Sequence, residues 1–284
     1  MPIKVIALDV DGTLMSSRNE LLPSTVEALQ EAADRGIHIV LSTGRMLSEC
    51  RELLEQLPMI RYAVTCTGAQ TVDLQDGSTI GRKSLTADDL RLLCSHLWDL
   101  DVLLQVFDDH DGLMHNDAKC LAEAERFCAP GLAKAIRRYH APEDDLRAYV
   151  EAYEGPTNKL HMYFATAEDK QTAVERTNGL PYDFADTCAT DLEIMPMGVD
   201  KGLGLRQLTE HLGLDRGEVM AIGDGGNDEG MLRYAGLAVA MGNANDYVKS
   251  LCHRVTDDND HDGVANAVWA VLGESYSSGS RFSI

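Results

Sequence analysis

The chain has 284 residues, 44% of them hydrophobic and 25% charged, which is enough for one large domain or two ordinary ones with a sizeable core. Its 46 acidic against 25 basic residues leave a net charge of -21, a field that repels polyanions and argues against a nucleic-acid partner. Seven scattered cysteines without a CxxC pair argue against a disulfide framework or a zinc site; with no signal-peptide pattern and no apolar run near the roughly 20 residues that span a bilayer, a cytoplasmic protein without a membrane partner is expected.

The first apolar run, Ile3 to Leu8, lacks alternation, as a strand buried on both faces does. It ends in Asp9-Val10-Asp11-Gly12-Thr13-Leu14. A helix is predicted from Pro23, with a capping box from Ser24 to Glu27 and a stop at Gly36. Ile37 to Leu41 reads as a second strand running into Ser42-Thr43-Gly44-Arg45, residues 46 to 57 as a helix, and Tyr62 to Thr67 as a third strand. This alternation is that of a doubly wound parallel sheet, which places ligands at the carboxyl ends of its strands.

From about residue 82 the rhythm changes. A helix from Thr86 to Trp98, strands at Val102 to Phe107 and Lys159 to Phe164, a helix from Glu168 to Asn178 and short strands at Tyr182 to Asp186 and Leu192 to Met195, joined by charged connections, predict an α+β insert. After Gly198 the α/β rhythm returns: a helix from Lys201 to Leu212, a strand from Val219 to Ile222, the loop Gly223-Asp224-Gly225-Gly226-Asn227-Asp228, a helix over 229–235, a strand from Leu237 to Ala240 and a helix from Val264 to Leu272. The Ser- and Gly-rich residues 274–284 are expected to fray.

Asp9, at the tip of a buried strand, is the candidate nucleophile, since a carboxylate there can attack phosphorus and split one hard displacement into two. Asp11 is placed to protonate the leaving oxygen and then to deprotonate water. Taken alone, these residues make an ordinary Asp/Gly turn as readily. A calcium-binding loop is disfavoured because a strand precedes the motif and the oxygen-ligand spacing is missing. Thr43 and Gly44 can hold a phosphate oxygen or merely cap a helix. Arg45 can reach a substrate or pair with surface acids, and the sequence favours neither. Lys201 stands where the helix dipole disfavours a cation; alone it reads as an exposed lysine, and beside the other motifs as an ammonium that neutralises a phosphoryl group. Asp224 and Asp228 offer hard oxygen ligands to Mg²⁺ beside Asp9 and the carbonyl of Asp11. Of the histidines, His38 and His161 read as strand residues, and His110 and His115 as part of an acidic loop. Lys159, with His161 and Tyr163, reads as an exposed sheet face or, less directly, as a substrate contact.

Together the four stretches Asp9-Val10-Asp11-Gly12-Thr13, Ser42-Thr43-Gly44-Arg45, Lys201-Gly202 and Gly223-Asp224-Gly225-Gly226-Asn227-Asp228, in this order and with a large insert between the second and third, closely resemble the haloacid dehalogenase superfamily of phosphatases, and more narrowly its Cof-type sugar-phosphatase branch. The resemblance implies an α/β fold: a Rossmann-like doubly wound parallel core over 1–81 and 190–284, with an inserted α+β cap over 82–189. It implies Asp9 as nucleophile, Asp11 as acid/base, Thr43 and Lys201 as phosphate holders, Asp224 and Asp228 as metal-site acids, and Asn227 and Asn243 as supports of the phosphate site. The cap is expected to hinge near 81–84 and 187–191, closing over the core and choosing the substrate. One departure stands out: where relatives usually have Asn-Gly-Ala after the third strand, this chain has Thr67-Gly68-Ala69.

The expected activity is Mg²⁺-dependent hydrolysis of small phosphate monoesters, sugar phosphates or phosphorylated cofactors, through an aspartyl phosphate. Transfer of that phosphoryl group to a sugar hydroxyl, as in a mutase, and a silent phosphate-ligand sensor are the competing readings. Whether the chain is a monomer or a homodimer is not set by its sequence.

Overall fold

The computed structural model describes residues 2–108, 113–185 and 189–273. These form two compact units, one comprising Met1–Arg45, Cys50–Arg82 and Asp200–Ile284, the other Met46–Glu49 and Lys83–Val199. His110, Cys188, the tail and part of the expected second hinge lie outside the described residues.

In chain order the first unit begins with β1 (Val5–Leu8), α1 (Pro23–Asp34), β2 (His38–Ser42), α2 (Arg51–Gln56), β3 (Ile60–Thr65), β4 (Gln70–Asp73) and β5 (Thr79–Arg82). The second unit supplies α3 (Ala87–Ser95), β6 (Val102–Asp108), β7 (Met114–Asp117), α4 (Ala118–Ala122), α5 (Pro130–Tyr139), β8 (His140–Glu143), α6 (Leu146–Ala152), β9 (Thr157–Phe164), α7 (Ala167–Thr177), β10 (Tyr182–Ala185) and β11 (Asp191–Pro196). The first unit resumes with α8 (Lys201–Leu212), β12 (Val219–Gly223), α9 (Glu229–Tyr234), β13 (Leu237–Ala240), α10 (Asp246–Leu251), β14 (Arg254–Val255) and α11 (Gly263–Leu272).

The first unit is a Rossmann-like sheet of eight strands in the order β14-β13-β12-β1-β2-β3-β4-β5. It is parallel from β14 to β3, and β4 and β5 add an antiparallel hairpin. Strand β1 is wholly buried because it lies between β12 and β2 with helices on both faces, which is why its sequence runs apolar without alternation. Val5 and Ala7 pack with Val40, Val64, Val219 and Ala221 under Leu205 and Leu208 of α8. The predicted capping box of α1 does not form. The N-cap residue is Leu22, and the Ser24 hydroxyl is instead given to the Asp262 carboxylate. Residues 46–57 are a short 3₁₀ turn followed by the single α-helix α2, not one continuous helix.

The second unit is a six-stranded sheet, β10-β11-β9-β6-β7-β8, antiparallel except between β7 and β8. One face carries Leu104, Val106, Leu160, Met162, Phe164, Leu192 and Ile194, packed with Leu90 and Leu93 of α3, Val150 of α6 and Ala173 of α7. This unit runs on to Val199, past the expected boundary at 189, because β11 pairs with both β9 and β10 and so belongs to this sheet. The opposite face of β9 is not the exposed surface expected for Lys159. Lys159 is buried, its ammonium 2.5 Å from Glu193 Oε1 and 4.7 Å from the centre of the Phe107 ring, and His161 Nε2 lies 3.2 Å from Asp191 Oδ2.

Candidate active site

Register fixes where the site lies. Leu8 of β1 stands level with Leu41 of β2 and Ile222 of β12, so the residues that follow all three strands emerge at one carboxyl edge. Those are Asp9 to Gly12, Thr43 to Arg45, and Asp224 to Asp228. The Asp9 amide keeps the strand's pattern by donating to Ile222 O at 3.1 Å, which holds the carboxylate at the end of the buried strand.

Lys201 reaches the same place from α8. Asp200 caps this helix, its carboxylate accepting from the Leu203 amide at 2.7 Å, and Gly213 in the left-handed region ends it. The first helical residue is thereby fixed, and its ammonium is fully buried, 2.5 Å from Asp9 Oδ1 and 2.6 Å from Asp228 Oδ1. Asp228 Oδ2 accepts from the amides of Asp224 and Gly225, both at 2.9 Å, and so shapes the glycine-rich turn around itself. Asp9, Asp224 and Asp228 each offer a carboxylate oxygen within 4.8 Å of the others.

This cluster holds more negative charge than positive. Burial pushes the Asp9 carboxyl up to about 8 against the pull of Lys201, and Asp228 and Asp224 add to the rise. Asp224 goes up to about 6, from burial first and then from Asp228. For Lys201, burial alone would lower its proton affinity, but Asp228 and Asp9 outweigh it and leave the ammonium firmly charged. Three hard oxygen donors with unbalanced charge, each oxygen with lone pairs to spare, suit a divalent cation.

Gly12, at φ +81°, is required at its place, because a Cβ there would lie 2.4 Å from Asp224 Oδ2. Asp11 stands apart from the buried cluster. Its side chain is 63% exposed, with Arg45 Nε donating to Oδ2 at 3.0 Å and Arg45 Nη2 donating to Oδ1. Of the two alternatives for Arg45, the structure shows the pairing with an acid, and the acid is Asp11. Thr43 is buried and caps no helix; its hydroxyl accepts from the Arg45 amide at 3.1 Å beside the half-buried Gly44.

Asn227 is exposed on the turn, and among the described residues no hydrogen bond joins its side chain to the carboxylates. Asn243 does join them, donating to Gly12 O at 2.9 Å and Asp224 Oδ2 at 3.2 Å. Sequence reasoning missed Thr13, whose hydroxyl donates to Asp224 Oδ1 at 3.0 Å. The signal was a hydroxyl residue directly after the Asp-Gly pair.

The turn after β3 holds the second loop from behind. Cys66 N donates to Arg45 O at 2.9 Å and Thr67 N to Thr43 O at 3.0 Å. Both residues are left-handed, Cys66 at φ 49° and Thr67 at φ 58°. Gly68 follows at φ +99°, where a Cβ would lie 1.9 Å from Asp200 O.

A family model for haloacid dehalogenase-like hydrolases matches residues 6–268. A 5-amino-6-(5-phospho-D-ribitylamino)uracil phosphatase of Bacillus subtilis is 32% identical over 268 residues, covering 94% of each chain. An HMP-PP phosphatase of Shigella boydii is 28% identical over 256 residues, covering 85% of this chain and 88% of its own. Among solved structures, a haloacid dehalogenase-like hydrolase from Bacteroides thetaiotaomicron matches with a TM-score of 0.81 and 25% identity, over 95% of this chain and 99% of its own. Among the described residues, no helix is long and apolar enough to cross a membrane.

Proposed function

The chain belongs to the haloacid dehalogenase-like hydrolase family and is a phosphatase, and from that premise we propose that it hydrolyses small phosphate monoesters, with Mg²⁺, through an aspartyl phosphate on Asp9. The observation that carries this reading is the buried cluster in which one lysine, Lys201, bridges Asp9 and Asp228 while Asp224 stands within reach of both. A structural turn has no use for three converging carboxylates with charge left over, whereas phosphoryl transfer does.

In this reading an Asp9 carboxylate oxygen attacks phosphorus, and the bond to the leaving oxygen breaks with its electron pair staying on that oxygen. The leaving oxygen takes a proton from Asp11. Asp11 then removes a proton from water as the water attacks the aspartyl phosphate, and inorganic phosphate and the Asp9 carboxylate are released. Lys201 offsets the negative charge gathered during attack, and Thr43 and Gly44 hold phosphoryl oxygens, with Asn243 fixing the Gly12 and Asp224 backbone and side chain around them. Asp9, Asp224 and Asp228, with the Asp11 carbonyl, would hold Mg²⁺, which when bound cancels the repulsion between carboxylates and phosphate and stabilises charge in the transition state.

Sugar phosphates and phosphorylated cofactors are the substrate classes proposed. The relatives' substrates, a phosphorylated ribitylaminouracil and HMP-PP, head the panel to be screened for phosphate release with and without Mg²⁺. Rapid quenching should trap a phosphorylated enzyme that is stable in acid and cleaved by hydroxylamine. Hydrolysis retained in full by Asp9→Asn would end the proposal.

A further inference from the structure

We propose that Arg45 is the positioning residue for Asp11, holding the carboxyl group that donates the proton to the leaving oxygen. This rests on the acid role given to Asp11 above.

Asp11 needs such a partner. It lies outside the buried cluster, its side chain is 63% exposed, and a carboxylate at a loop tip is otherwise free to turn among rotamers. Most exposed ion pairs do little, but a two-pronged guanidinium fork fixes both carboxylate oxygens in one plane, and that is the arrangement here. Proton transfer depends on placement of this kind, and small displacements lower rates steeply.

Arg45 is itself held at both ends of its backbone. Its amide donates to Thr43 Oγ1 at 3.1 Å, and its carbonyl accepts from Cys66 N at 2.9 Å. The holding turn takes a strained form to do this. Two successive non-glycine residues are left-handed, and the second, Thr67 at φ 58° and ψ 26°, is β-branched. Strain of this kind persists only where the surroundings impose it, and here it fixes the carbonyls of Thr43 and Arg45. The anchored arginine then carries that rigidity to Asp11. For donation, the bond from Nη2 to Oδ1 opens and Oδ1 carries the proton, while Nε keeps Oδ2 in place. When Oδ1 loses the proton to the leaving oxygen, the fork closes again.

The test uses the full chain with Mg²⁺ and compares kcat/KM on two phosphate esters. An alkyl phosphate expels an alkoxide that must be protonated, whereas p-nitrophenyl phosphate expels a stable phenolate that need not be. Arg45→Met should lower kcat/KM about 30-fold on the alkyl ester and less than about 3-fold on the aryl ester. Asp11→Asn should show the same selectivity more strongly, and adding Arg45→Met to it should cost little more. Equal losses on both esters would overturn the inference and give Arg45 to the phosphoryl group or the fold; no loss on either would overturn it as well. If Asp11→Asn shows no leaving-group selectivity, the acid role of Asp11 fails instead, which separates the two readings. Should Arg45→Met not fold, Arg45→Lys, which keeps the charge but not the fork, is judged by the same ratio, and a wild-type ratio would overturn the inference.

Discussion

Each unit buries a lysine against a carboxylate at the same 2.5 Å, Lys201 with Asp9 in the first and Lys159 with Glu193 in the second, yet the two carboxylates are driven in opposite directions. Asp9 is pushed up to about 8, because burial is reinforced by Asp228 and Asp224 and only Lys201 opposes it. Burial would raise Glu193 too, but Lys159 and His161 outweigh it and a single acid, Asp191, stands against them, so Glu193 ends below its ordinary value. Contact distance does not separate a site from a structural pair. The neighbours do: Asp9 stands among two further acids, which leave negative charge for a cation to offset, whereas Glu193 stands nearest to Lys159 and His161.

The largest expected effect comes from removing the proposed nucleophile: Asp9→Asn should lower phosphate release by on the order of 10⁴-fold, whereas Glu193→Gln should leave the trapped phosphoenzyme still detectable. The buried pair of the second cluster is broken by that same Glu193→Gln change. It strands the Lys159 ammonium in a buried setting and should lower unfolding free energy by about 3 kcal/mol in urea titrations.

Next comes the response to metal. Mg²⁺ at about 100 times its Kd should stabilise the chain by about 2.7 kcal/mol, and Asp224→Asn should remove most of that gain while Glu193→Gln leaves it intact. A stability gain that survived Asp224→Asn would place the cation elsewhere.

The smallest effect is the pH dependence of the metal-free protein. Asp224, raised in the folded state to about 6, contributes stability that is fully present below its unfolded value near 4 and is lost as pH rises through 6. Asparagine at 224 lacks that loss. The stability of Asp224→Asn relative to wild type should therefore improve from pH 4 to pH 7, by about 1 kcal/mol after allowing for partial exposure of the group. A difference that is flat in pH would show Asp224 to be relaxed in the absence of metal.

Sequence and structure agree most closely where one physical cause dominates. Continuous apolar runs mark β1, β2 and β12, because a central parallel strand has no polar face, and loops at their carboxyl ends follow from that topology. The carboxylate cluster was legible for the same reason, since Asp9, Asp224 and Asp228 each follow such a strand or close its loop. Legibility fails where partners come from far along the chain. Ser24 has the right neighbour for a capping box, but Asp262, 238 positions away, takes its hydroxyl. Lys159 alternates with apolar residues like a solvent face, and only pairing with β11 shows its partner, Glu193. Much of 114–152 reads in the sequence as charged connection because its strands and helices are short and polar. The hairpin of β4 and β5 had a usable signal in Asp76-Gly77, where Gly77 turns at φ +74°.

The turn at Cys66, Thr67 and Gly68 has one more implication. Its amides grip the loop of Thr43 and Arg45, while Gly68 presses on the carbonyl of Asp200, the residue that starts the helix of Lys201. A few backbone atoms therefore act as the reference surface against which two separately encoded parts of the proposed site are aligned. Asparagine tolerates a left-handed backbone more readily than threonine does. This chain keeps the alignment with a residue that does not favour the shape, so the shape is imposed from outside the residue. Tolerance for change at 67 is accordingly set by what can stand in that mould, and at 68 by the absence of any room at all.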